Sequence, residues 1–100
     1  MIQILITGPD ELKAGHIADK VTKALKLYCG KVDSALRPLV LGPAPAPLEK
    51  IRGKYRFQVL MKSSPGTSLV PILHDSFAHL SQNRVALKGV HVDVDPLSLL

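Results

Sequence analysis

The densest group of chemically useful side chains in this sequence is a run of cations with two aromatic rings among them. Five cations, which we call the basic cluster, follow a proline-rich stretch: Lys50, Arg52, Lys54, Arg56 and Lys62. Tyr55 and Phe57 alternate with them, and only Glu49 opposes their charge. Because cations contact phosphates and rings stack on bases, the cluster and Tyr55 favour nucleic-acid binding. The sequence leaves open whether both rings instead point into a core beneath a solvated charged surface.

Catalytic and metal-binding alternatives find little support in the sequence. His74, Asp75 and Ser76 have the residue types of a hydrolytic triad, but consecutive helical residues point in different directions and cannot relay a proton. His91, Asp93 and Asp95 would share one face of a strand and could hold a hard divalent ion. Neighbours on one strand face are about 7 Å apart, however, so they converge poorly on one ion. We therefore predict no catalytic residue, no metal ligand and no cofactor in this chain.

Composition and charge narrow the class of protein further. The chain has 100 residues, the size of one domain spanning residues 1–100, and a net charge of +5, which favours polyanionic partners. Its single cysteine, Cys29, excludes an internal disulfide and suits a reducing compartment. The N-terminal residues form neither a signal peptide nor a membrane anchor. We expect a cytoplasmic protein without membrane contact.

The elements that must position the basic cluster follow from the periodicity of apolar residues. Alternation predicts strands at 2–6, 39–41, 55–62 and 90–94. Three- and four-residue spacing predicts a helix that starts with Pro9 in its first turn and ends at Gly30, and a second that Ser68 caps and that carries Pro71 in its first turn. Between strands, residues 42–47 read as a stiff polyproline-like arm and 48–53 as one helical turn.

The order β-α-β-β-α-β predicts an α+β, ferredoxin-like fold. In that fold two right-handed crossovers place both helices on one face of a four-stranded antiparallel sheet. The other face of the sheet must then meet solvent, a ligand or another domain. An acylphosphatase-type hydrolase shares the plan but needs a glycine-rich phosphate loop, and Gly8-Pro9-Asp10 offers too few backbone donors.

Three segments in order resemble a known family. They are Val40-Leu41-Gly42-Pro43-Ala44-Pro45-Ala46-Pro47, then Arg52-Gly53-Lys54-Tyr55-Arg56-Phe57-Gln58-Val59-Leu60, and finally Val92-Asp93-Val94-Asp95-Pro96. Together they look like the C-terminal domain of the bacterial primosomal protein N′, the replication-restart helicase PriA. The resemblance is firm from Leu39 onward and looser over residues 1–30.

The resemblance implies an accessory domain of an ATP-dependent 3′ to 5′ DNA helicase that is bacterial, cytoplasmic and nucleoid-associated. Its implied partners are forked or single-stranded DNA, the helicase lobes of the parent chain and single-stranded DNA-binding protein. ATP, magnesium and zinc would belong only to the rest of the parent helicase, so this chain alone is not expected to be an enzyme. Some relatives hold the acidic tail of single-stranded DNA-binding protein with an Arg and a Gln, where this chain has Gly66 and Val70.

Two functions are therefore carried forward. The first is a DNA-binding accessory domain in which Lys50, Arg52, Lys54 and Arg56 make the main phosphate contacts, with Lys62 and Tyr55 beside them. The second is a docking module whose open sheet face or proline arm packs on the helicase lobes or binds single-stranded DNA-binding protein, with no DNA binding of its own. The position of apolar residues on the uncovered sheet face is the feature that separates them.

Overall fold

The fold is a four-stranded sheet with two helices, as the sequence predicts. The computed structural model describes residues 2–32, 37–51, 53–62 and 69–94, with side chains except those of 47–51 and 94. The elements are β1 (Ile2–Gly8), α1 (Glu11–Cys29), β2 (Leu39–Ile51), β3 (Lys54–Lys62), α2 (Val70–Gln82) and β4 (Val90–Val94). The α+β, ferredoxin-like prediction is thereby confirmed. Neither helix in these ranges is long and apolar enough to cross a membrane.

The sheet is antiparallel, with strand order β2-β3-β1-β4. The central strand β1 buries Ile2, Ile4 and Ile6 almost completely, and these side chains face the helices. In the register, Ile4 lies opposite Val59 of β3 and opposite Val92 of β4. Because side chains alternate across a strand, the register divides every strand between a helix-covered face and a second face, which we call the open face.

Helix α1 begins two residues later than the sequence predicts, at Glu11 and not at Pro9. Asp10 is its N-cap, and the Asp10 carboxylate accepts hydrogen bonds from the backbone N–H groups of Leu12 and Lys13, at 2.9 and 3.3 Å. A carboxylate satisfies these unpaired donors better than proline could, so Pro9 precedes the cap and is not the first helical residue. The helix ends at Gly30, as predicted.

Helix α2 packs mainly on α1 and closes the core. Its N-cap is Leu69, which makes no side-chain hydrogen bond, so the predicted cap at Ser68 is wrong; Ser68 itself lies outside the described residues. Pro71 occupies the first turn, as predicted, where its missing N–H breaks no helical bond. Ser76 is fully buried because its hydroxyl donates to the carbonyl of Ile72 at 2.7 Å.

The proline-rich segment is part of a strand and not a separate arm. Strand β2 continues through it to Ile51, so the predicted end at Gly42 and the predicted helical turn at 48–53 are wrong. Prolines are tolerated because β2 is an edge strand, and the register shifts between Leu41 and Ala44 and again between Pro45 and Lys50 absorb the missing donors. Gly42 has φ +116°, a conformation that side chains rarely adopt.

Candidate nucleic-acid interface

Strand β3 divides the basic cluster and its aromatic neighbours between the two faces of the sheet. Val59 and Met61 are fully buried beneath the helices, so Tyr55 and Phe57, which share their parity, belong to the helix-covered face. Lys54, Arg56 and Lys62 have the other parity and lie on the open face. The sequence placed these residues in one group, and among those with described side chains the fold brings the three cations of β3 together and separates them from the rings.

The three cations follow one line along the open face. A strand rises about 3.4 Å per residue, so Lys54 and Arg56 are about 7 Å apart and Lys62 is about 20 Å beyond Arg56. Lys54 and Lys62 are exposed, while Arg56 is half-buried and lies opposite Thr7 of β1. Lys50 pairs with Tyr55 in the backbone register, but its side chain is not among those described. Arg52 lies outside the described residues.

The aromatic rings are not available beside these cations. Phe57 packs against the core cluster, and a Cβ added at Gly15 of α1 would lie 3.8 Å from its Cζ atom. Tyr55 is half-buried and lies opposite Gly8 at the end of β1. The remaining two aromatic residues, Tyr28 and Phe77, belong to the helices. The open face therefore carries no phenylalanine, tyrosine or tryptophan on which a base could stack.

The middle of the open face is aliphatic, a feature that the sequence reasoning missed. Leu39 is 55% exposed opposite Lys62, and Leu41 is 40% exposed opposite Leu60. On the neighbouring strand the Gln3 amide nitrogen donates to the Gln58 amide oxygen at 3.0 Å. The available signal was the parity of the two leucines, which acquires meaning only once β2 and β3 are in register. The face thus combines apolar surface with cations at both ends.

The one described acidic side chain on the open face lies away from the cations. Among the open-face strand residues whose side chains are described, the one carboxylate is Asp93, on β4, where it lies opposite Gln3 of β1. Strand β1 separates β4 from β3, so Asp93 is two strands away from Lys54, Arg56 and Lys62. Strand β3 itself carries three cations and no carboxylate.

A second basic surface lies on the opposite side of the molecule. It consists of the solvent-facing lysines of α1: Lys13, Lys20, Lys23 and Lys26. Lys23 is paired with Asp19 at 2.9 Å. Lys20 and Lys23 also border a groove between the helices whose other wall includes His79 and Asn83. This surface supplies a matched control for any effect of charge alone.

The hydrolytic and metal-binding candidates are not assembled. His74 Nδ1 lies 3.8 Å from Asp75 Oδ1 at the surface, whereas the Ser76 hydroxyl is buried and bonded to Ile72. His91 and Asp93 share the open face, and Asp95 lies outside the described residues. Within the described part of the chain no three His, Cys, Asp or Glu side chains are grouped to hold a metal ion.

Cys29 is a core residue. Burial raises the pKa of its thiol above the ordinary value, and the nearby Arg37 charge opposes that shift. A protonated, buried thiol is a poor nucleophile. Cys29 therefore serves as a small apolar side chain of the core.

Comparison with known proteins gives two matches. A family described as "Primosomal protein N C-terminal domain" matches residues 1–97. The replication restart protein PriA of Bacillus subtilis (strain 168) is 27% identical over 92 residues, which is 92% of this chain and 11% of that protein. The chain thus spans about a ninth of the length of the curated relative that it matches.

Proposed function

The chain belongs to the primosomal protein N C-terminal domain family, and we propose that it is a DNA-binding accessory domain of replication restart. In this proposal the open face holds single-stranded or forked DNA by its phosphates. Lys54, Arg56 and Lys62 are the contacts with described positions. The backbone register pairs Lys50 with Tyr55 of the helix-covered face, and Arg52 lies outside the described residues. The observation that carries the proposal is the placement of three cations on one face of β3 with no carboxylate on that strand.

The contacts are of the kind that position DNA without reading its sequence. Lysine and arginine on phosphates give a binding energy that is largely independent of base identity. Base stacking would require a ring, and the rings of β3 lie on the helix-covered face. Tyr55 therefore has no part in the proposed surface, and we expect weak, salt-sensitive binding of all sequences alike.

Fluorescence anisotropy with a labelled single strand at low salt tests the proposal. The variant Lys54→Ala/Lys62→Ala removes two exposed cations from the open face, and Lys13→Ala/Lys20→Ala removes the same charge from α1. All four side chains are exposed, so neither variant disturbs the core. The first variant should bind DNA at least tenfold more weakly than the unchanged chain, and the second should bind within about twofold of the unchanged chain.

Two results would refute the proposal. Equal loss in both variants would mean that net charge and not the open face attracts DNA. No loss in either would mean that β3 is only a solvated strand. Repeating the titration with a forked duplex measures whether the branched form is preferred.

The exposed leucines favour a second function, docking on protein. Leu39 and Leu41 present apolar surface that is costly to leave in water, which suits a contact with the helicase lobes of a replication-restart protein. Leu41→Ala removes apolar surface without changing charge, so it should weaken binding to those lobes, supplied as a separate protein, and leave DNA affinity unchanged. Loss of DNA affinity alone would assign the whole face to DNA.

A contact with single-stranded DNA-binding protein is the least supported of the proposed partners. Val70, at the start of α2, is 63% exposed and carries no charge to meet an acidic tail. Gly66, the other position expected from the family resemblance, lies outside the described residues. We propose no cofactor for this chain: ATP, magnesium and zinc would act in the remainder of a parent helicase. DNA as partner is the reason for proposing a cytoplasmic, nucleoid-associated location.

A further inference from the structure

We propose that the outer edge of β4 pairs antiparallel with β4 of a second copy, which joins two sheets into one of eight strands. Strand β4 is the last in the order β2-β3-β1-β4, and no other described strand pairs with its outer edge. An unpaired edge presents backbone donors and acceptors that a second strand can satisfy. The inference does not depend on the DNA-binding proposal.

The backbone groups that face outward can be identified from the β1 to β4 register. The Thr7 N–H donates to the Gly89 carbonyl at 2.8 Å, so residues 89, 91 and 93 turn their polar groups toward β1. The backbone N–H and carbonyl groups of Val92 consequently point outward from the free edge of β4. The outward N–H of Val90 is already bonded to the Leu87 carbonyl, at 3.1 Å. Val92 is thus the natural centre of an edge contact.

The pairing of donor and acceptor side chains selects one register for this contact. With Val92 opposite its own counterpart, His91 of each copy lies opposite Asp93 of the other, on the open face. Both residues are exposed, so neither pair requires a buried charge. Slipping the pairing toward either end would place His91 opposite His91 or Asp93 opposite Asp93. The five-residue strand is therefore complementary to itself in one antiparallel alignment.

Apolar surface on the other side of β4 also favours the contact. Val92 is 41% exposed on the helix-covered side. With Phe77 of α2, Leu87 and Val90 it lines an apolar cavity of about 280 Å³. Pairing across Val92 would bring the same residues of two copies together and remove part of this surface from water. Backbone hydrogen bonding, side-chain pairing and apolar burial thus favour the same alignment.

Sedimentation velocity of the whole chain over a concentration series tests the proposal. At about 0.15 M salt the repulsion between two copies of net charge +5 is largely screened. As the protein concentration is raised toward about 1 mM, we expect the sedimenting species to change reversibly from monomer to dimer. Val92→Pro should abolish it, because proline removes the central outward donor but breaks no bond to β1. Val92→Ala retains that N–H and is the matched control, which should still form dimers.

Complementary charge variants separate the proposed alignment from other modes of association. His91→Asp places carboxylates opposite each other, and Asp93→Lys places an ammonium group opposite His91 and removes the acceptor carboxylate, so each variant should dimerise roughly tenfold more weakly. Mixing the two variants brings the new carboxylate of one opposite the new ammonium of the other and should restore the dimer. A parent that stays monomeric at about 1 mM, a dimer that survives Val92→Pro, or a mixture no stronger than its components would each overturn the proposal.

Discussion

The salt dependence of DNA binding gives the sharpest expectation from the position of the open-face cations. Each cation that neutralises a phosphate releases condensed counterions, so the logarithm of the binding constant falls linearly with the logarithm of salt concentration. The slope for single strands is about −0.7 per phosphate contact. The perturbation is Lys54→Ala/Lys62→Ala, which removes two cations at the ends of the line on β3.

The size of the change does not depend on the residues whose positions are not described. If Lys54, Arg56 and Lys62 are the contacts, the slope for the unchanged chain is about −2; if Arg52 also contributes, it is about −2.8. In both cases the double variant should flatten the slope by about 1.4. If the two lines meet near 1 M salt, where the electrostatic part vanishes, the affinity at 0.1 M should differ by about 25-fold.

Anisotropy titrations at four or more salt concentrations measure both slopes directly. Lys13→Ala/Lys20→Ala, with the same net charge but cations removed from α1, should keep the parent slope within about 0.3. Circular dichroism and thermal unfolding of each protein verify that the fold is intact. A parallel displacement of the line without a change in slope would refute the reasoning, because the two lysines would then contact no phosphate.

Four further expectations follow from the fold. Tyr55→Ala should lower the free energy of unfolding by about 1–3 kcal/mol in urea titrations and leave DNA affinity unchanged; the opposite pattern would place the ring on DNA. Gly42→Ala should cost about 1–3 kcal/mol in the same assay, because φ is +116° and a Cβ there would lie 2.8 Å from the Gln58 carbonyl oxygen. Burial holds the pKa of the Cys29 thiol above its ordinary value of 9.0, so the folded state keeps the proton at pH values where the unfolded chain loses it. The free energy of unfolding should therefore fall as pH rises past about 9, and Cys29→Ala should remove that decline. The isolated chain should hydrolyse no ATP above background, with or without DNA, in a phosphate-release assay, and DNA-stimulated turnover would contradict its role as an accessory domain.

Elements whose apolar period is unbroken could be predicted from the sequence. Strand β3 and strand β4 alternate strictly, and α1 keeps its three- and four-residue spacing up to Gly30, so local pattern and tertiary burial agree. The proline segment was not predicted as a strand because proline lacks the backbone N–H that donates a hydrogen bond to a neighbouring strand. On edge strand β2 those donors would have faced solvent or a register shift, so the strand could continue.

Buried hydroxyls were missed for a related reason. Ser76 interrupts the apolar pattern of α2 by residue type, yet its hydroxyl bonds the carbonyl four residues earlier and needs no other partner. Thr22 of α1 does the same with the Ala18 carbonyl, at 2.8 Å. A polar residue that satisfies itself on its own helix can occupy the core at little cost, so polarity alone does not exclude it.

The candidate interface depends on information that is only partly local. Alternation along β3 already separates Arg56 from Tyr55, but it does not say which of them the helices cover. The burial of Val59 and Met61 beneath the helices shows which face is covered, and Tyr55 shares their parity and therefore their face. The position of the leucines depends on pairing between strands as well. Leu41 lies on the open face because it pairs with Leu60 of β3, ahead of the first register shift in β2. A residue's type thus predicts what chemistry it can do, whereas the register between distant strands decides which residues share a surface. Here the register places the cations of β3 on the same face as the leucines of β2, and the rings of β3 lie on the opposite face.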